Sequence, residues 1–84
     1  MSPAKFLKSA RIKAGLSQGD VAKAMGWKSS QYISNFELGK SYPVECAYDL
    51  SKLLKFNYDK YFEIVVKYKI EIVSEKLRRE FYKL

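Results

Sequence analysis

The segment Leu16–Gly39, LSQGDVAKAMGWKSSQYISNFELG, leaves this chain few ways to fold. Its residue pattern sets two short amphipathic helices around Gly26 and closes the second on Gly39. Glycine tolerates positive φ at little cost, so Gly26 marks a sharp turn. Ser17 caps the first of these helices, with Asp20 three residues on as the other half of a capping box. Val21, Ala22 and Met25 make the apolar side of that helix, and Ile33 and Phe36 that of the next. Gln31, Tyr32, Ser34 and Asn35 then form an uncharged face of amides and hydroxyls.

Helical spacing continues on both sides. Ser2 as N-cap and Pro3 at the first helical position start a helix. Phe6, Leu7, Ala10 and Ala14 recur along it, and Gly15 ends it. Lys28-Ser29-Ser30 reads as a polar turn in which either serine can cap the following helix. Tyr42-Pro43 redirects the chain into a fourth helix, with Val44, Ala47, Leu50 and Leu54 expected on one face. No repeat or low-complexity tract interrupts the chain.

The segment after Asn57 admits two readings. Val66–Ile72 alternates apolar and charged residues, as a strand does. Phe62, Val66, Ile70, Val73, Leu77, Phe81 and Leu84 instead recur at helical period, and neither Gly nor Pro breaks 57–84. The helix is the favoured reading, with the β-branched run Ile64–Val66 its weakest point. Tyr61, Val65, Tyr68 and Ile72 form a neighbouring second face, so one face can cover the domain while the other meets a partner. A strand here would pair with its mate in a dimer, so both readings lead to self-association.

Composition removes several functions. Eighty-four residues make one small domain. There is no histidine and only Cys46, so no zinc site or histidine-based triad can form, and no metal or cofactor is expected. Cys46, set among Val44, Ala47 and Leu50, is expected as a buried thiol, and a single cysteine fits a reducing cytoplasm. The carboxylates are scattered, so catalysis is not expected. No apolar run approaches the ~20 residues of a membrane span, and no signal peptide opens the sequence. The net charge of +7 is uneven. Residues 1–43 carry seven Lys and Arg against Asp20 and Glu37, whereas the remainder is nearly balanced. A basic half bearing an amide and hydroxyl face suits a polyanion whose bases are read by hydrogen bonds, which is double-stranded DNA.

The sequence resembles the Xre-type helix-turn-helix family, the lambda-repressor and Cro-like DNA-binding domains. The matching residues are Arg11, Gly15-Leu16-Ser17-Gln18, Val21-Ala22, Gly26, Ile33-Ser34, Phe36-Glu37, Gly39-Lys40 and Pro43, within residues 4–56. The resemblance implies an all-α, compact five-helix bundle of the lambda-repressor type, here with an extended C-terminal helix, and a third helix docked in the major groove. It implies DNA base contacts from Ser30, Gln31, Tyr32, Ser34 and Asn35, with Tyr32 touching a thymine methyl or a phosphate, or packing on the loop before the fourth helix. It implies phosphate contacts from Gln18, Lys28, Lys40 and Ser41, and a structural ion pair between Arg11 and Glu37.

Two departures from the family pattern stand out. Gly19 replaces a larger residue, either as drift or to admit a phosphate close to the backbone. One extra residue separates Gly26 from Ile33, so the turn at Trp27–Ser29 must absorb it, with Trp27 bracing the turn as a partly buried wedge. The organisation expected is a DNA-binding domain over 1–57 and a helical extension over 58–84. Phe62, Val66, Ile70, Val73, Leu77 and Phe81 are the expected dimer interface. The function expected is a sequence-specific DNA-binding regulator, a repressor acting as a homodimer on a two-fold related operator. The alternative is an antitoxin or other module that holds a protein partner through the extension.

Overall fold

The computed structural model describes residues 2–82 and is all-helical over them. Five helices follow one another: α1 (Pro3–Lys13), α2 (Gln18–Ala24), α3 (Gln31–Glu37), α4 (Ala47–Leu53) and α5 (Tyr58–Tyr82). The side chain of Ser2 accepts the Lys5 N–H at 3.2 Å and starts α1. Ser17 and Asp20 exchange hydrogen bonds of 3.0 and 2.9 Å and start α2. Asn57 accepts the Lys60 N–H at 2.8 Å and starts α5.

The first four helices end alike. After each, a backbone N–H reaches five residues back to a carbonyl. The donors are Leu16, Trp27, Lys40 and Phe56, at 3.2, 2.8, 2.9 and 3.0 Å. The residue before each donor takes the left-handed conformation, which is Gly26 (φ 74°) at the turn between α2 and α3. At the end of α4 this residue is Lys55, with φ 57°. A side chain there costs roughly 1–2 kcal/mol relative to glycine, so composition hides this turn. Leu16, Trp27 and Phe56 pack against the core directly after their turns. Lys40 breaks that pattern and leaves an exposed cation beyond α3.

Leu7, Val21, Ile33, Phe36, Leu50, Leu54 and Tyr61 form the core. α1 packs on α3 and α5, α2 on α3, and α4 on α5. Val44 departs from expectation: it lies ahead of α4 and is 80% exposed. Residues 44–46 supply no side-chain cap, and Cys46 at the N-cap makes none. The helix therefore begins only at Ala47, where burial supports it. Cys46 is half-buried rather than buried, and burial pushes its thiol up. Its thiolate is thus disfavoured.

α5 runs through the segment that had two readings. Tyr61 is buried, Val65 and Tyr68 are half-buried, and Ile72 is exposed, so the covering face ends at Tyr68. Tyr42 holds this stretch from the loop before α4: its ring meets Tyr68 at 6.5 Å, and Lys69 Nζ lies 4.9 Å from its centroid. Every described residue from Lys69 onward is exposed. The helix therefore projects from the body, giving a molecule 50 Å long and 24 × 21 Å across. Leu84 lies outside the described residues. Among the described residues, no helix is long and apolar enough to cross a membrane.

Tyr61 carries a conflict within this core. It is 2% exposed, with its ring 5.6 Å from Phe6 and 5.5 Å from Phe56, and its hydroxyl has no hydrogen-bond partner among the described residues. Burial pushes that hydroxyl above the ordinary tyrosine range, and Tyr42 and Cys46 add to the shift. The fold holds this proton more tightly than the unfolded chain does. The associated stability is complete below pH ~10 and is lost as pH rises through the folded value. Tyr61→Phe is expected to stabilise the fold by ~1 kcal/mol, because it deletes an unsatisfied buried group. It should also flatten the alkaline side of a pH–melting curve, and an unchanged alkaline side would refute the assignment.

Candidate nucleic-acid interface

The candidate surface is built on α3, a helix of seven residues. Ile33 and Phe36 point into the core. At about 100° per residue, Gln31, Ser34 and Asn35 fall within one arc on the opposite side. The Gln31 side-chain amide donates to Asn35 Oδ1 at 2.9 Å. A carbonyl oxygen has two lone pairs, so Asn35 keeps one acceptor site and both N–H donors. The two side chains act as one unit: Gln31 orients Asn35, and Asn35 presents a donor beside an acceptor.

The other expected base-contacting residues sit elsewhere. Ser30 is the half-buried N-cap of α3 and makes no cap bond with its side chain. The hydroxyl of Ser29 instead accepts the Gln31 N–H at 3.3 Å. Tyr32 lies on the flank of α3, 59% exposed, with its ring 5.3 Å from Trp27. Trp27 also meets Phe36 edge-on at 6.2 Å. It is a half-buried brace between the turn and α3, and residues 27–30 take up the extra length outside any helix.

Arg11 joins α1 to the end of α3. Its Nε and Nη2 donate to the two carboxylate oxygens of Glu37 at 2.7 and 3.0 Å. Its Nη1 donates to the Leu16 carbonyl at 2.8 Å. The Gln18 amide adds a bond of 3.3 Å to Glu37 Oε1. The Arg11 and Glu37 side chains are only 12% and 4% exposed. The hydrogen bonds that Arg11 donates to Glu37 raise its pKa further. This network locks α1, the start of α2 and the end of α3 into one rigid unit.

Gln18, expected to contact a phosphate, thus spends its side chain on Glu37, so only its backbone at the start of α2 is left for that role. A Cβ on Gly19 would meet only Ser17 Oγ, at 3.7 Å, so packing within the protein does not require glycine there. Lys28 is exposed before α3, and Lys40 and Ser41 are exposed after it. Cations therefore bracket the Gln31–Asn35 pair at both ends of the helix. Asp20, at the start of α2, has its carboxyl held below the usual range by its bonds to Ser17. The fourth bond of the Arg11 network, from Gln18, and the role of Tyr42 in holding α5 carry no signal in the sequence. Each depends on side chains far apart along the chain.

A family model described as helix-turn-helix matches residues 7–57, well over half of the chain. No curated protein and no solved structure matches the chain.

Proposed function

The chain belongs to the Xre-type helix-turn-helix family of DNA-binding regulators, and from that premise we propose that it is a cytoplasmic repressor that reads a two-fold related operator as a homodimer. The observation that supports this best is the Gln31–Asn35 amide pair on the outward arc of α3. A donor beside an acceptor matches the N7 and N6 edge of adenine in the major groove. Ser34 borders the pair, Ser30 and Tyr32 flank it, and Lys28, Lys40, Ser41 and the Gln18 backbone supply phosphate contacts that position the domain. Occupying the duplex is enough to block a promoter, so repression asks for no further surface.

Selecting binding sites from a pool of random duplexes tests this reading. The expected result is a two-fold related sequence with half-sites about one helical turn apart. Recovery of no preferred sequence would overturn it. Lys40 gives a second check. Lys40→Ala is expected to weaken preferred and random duplexes equally and to lessen the salt slope by about 0.9, as for one lost phosphate contact. A change in sequence preference would instead make Lys40 a base-reading residue.

A second reading rests on the exposed stripe of α5. Phe62, Ile70, Val73, Leu77 and Phe81 are each at least half exposed, and an exposed apolar stripe of this kind suits an interaction surface. An antitoxin-like module would use that stripe to hold a different protein. Sedimentation of the pure chain separates the two readings: a dimer supports self-association, and a monomer supports the protein-partner reading.

A further inference from the structure

The apolar stripe of α5 reads the same in both directions. Phe62, Val66, Ile70, Val73, Leu77 and Phe81 are spaced by four, four, three, four and four residues. The stripe is therefore symmetric about a point between Glu71 and Ile72. We propose that two copies of this chain pair α5 antiparallel about that point, seating Phe81 of each copy in an apolar pocket at the root of the other's α5. The proposal rests on the homodimer reading and specifies its geometry.

Antiparallel pairing sets Phe62 opposite the partner's Phe81, Val66 opposite the partner's Leu77, and Ile70 opposite the partner's Val73. The end of the stripe then meets a concave surface. Tyr42, Pro43, Val44, Tyr58, Tyr61 and Phe62 line a cavity of about 200 Å³ between the loop before α4 and the first turns of α5. An apolar cavity of about 150 Å³ accepts benzene, so a phenyl ring fits. Phe81 is 72% exposed, the most of the six, and Val44 at the pocket mouth is 80% exposed. One contact covers both. A parallel pair would bring Phe81 against its own counterpart and leave the pocket open.

Charge does not decide the polarity. Antiparallel pairing brings Lys69 near the partner's Lys76 and Glu63 near the partner's Arg78, one repulsive and one attractive contact. Exposed pairs of that kind are weak, so the apolar stripe governs. The spacing of the two bodies agrees with the proposed use. Phe62 and Phe81 lie 19 residues apart, so the roots of the two α5 helices stand ~28 Å apart along the axis at 1.5 Å per residue. That approaches the ~34 Å between successive major-groove sites on one side of a duplex. α5 packs on α1 and α4, whereas α3 packs on α1 and α2, so pairing through α5 leaves the outer arc of α3 open.

The full chain with Cys46→Ser provides the test. Val66→Cys and Leu77→Cys versions are mixed and oxidised, and sedimentation of the unsubstituted chain is run alongside. The expected product is the mixed Val66–Leu77 cross-link, with little of either self-link. A dimer that yields chiefly self-links overturns the polarity and leaves the homodimer standing, whereas a monomer at tens of micromolar overturns both. Val44→Glu examines the pocket, because Val44 is exposed in the single chain and its replacement spares the fold. Dimer affinity is expected to fall at least tenfold with an unchanged melting point of the monomer. Unaltered affinity would overturn the seating of Phe81.

Discussion

Glu37→Ala is expected to destabilise the fold by about 3 kcal/mol, the low end of the range for stranding one charge of a buried pair. A chain of this size has a total stability on the order of 5–10 kcal/mol, so the loss is large. The cause is Arg11: its guanidinium has two short bonds to Glu37 and one to the Leu16 carbonyl. Removing Glu37 leaves a cation that is 12% exposed with a single acceptor. Raising the pH cannot relieve it, since arginine stays charged throughout the accessible range. Denaturant melts of Glu37→Ala, Arg11→Met and the combined Arg11→Met/Glu37→Leu chain would measure this. The double replacement is expected to lie far closer to the parent than Glu37→Ala does, because apolar side chains of similar volume leave no charge unpaired. A loss below about 1 kcal/mol for Glu37→Ala would mean that water reaches the pair and that it contributes as a surface bridge does.

That network also marks what can be read from sequence. Arg11 and Glu37 are 26 positions apart, and no local rule joins them; their pairing was expected only through the family resemblance. The helix boundaries are different. Ser17 with Asp20, Ser2 with Pro3, and the glycines after α1, α2 and α3 act within a few residues, and they begin or end their helices where local chemistry says they should. Where a boundary lacked its usual residue, sequence could not locate it. Lys55 occupies a left-handed turn that normally calls for glycine. Val44 carries the right apolar character for a helix face, but the chain supplies no cap to begin a helix there. α5 was ambiguous because Val66–Ile72 satisfies both periods. Tyr61, Val65 and Tyr68 gain burial only as a helix, and that tertiary contact overrides the β preference of Ile64–Val66.

Asn35→Ala is expected to weaken binding to the preferred duplex about 10- to 100-fold and leave affinity for random duplex nearly unchanged. One lost bidentate base contact is worth about 1–3 kcal/mol, whereas non-specific affinity comes from the cations. The Gln31–Asn35 bond makes the two substitutions unequal. Asn35→Ala removes the group that offers a donor and an acceptor together, so discrimination at the contacted base pair should disappear. Gln31→Ala leaves that group in place but frees it to rotate. Its loss should be smaller, and preference for the same base pair should survive. The double substitution should cost less than the sum of the two, since the second change removes a partner already gone. Duplex titrations at one fixed salt concentration, with each base pair of the half-site varied in turn, would resolve these cases. Equal losses on preferred and random duplex would remove the amide pair from base reading and reduce α3 to a scaffold for Lys28 and Lys40. Additive losses would show instead that the two amides act separately once DNA is bound.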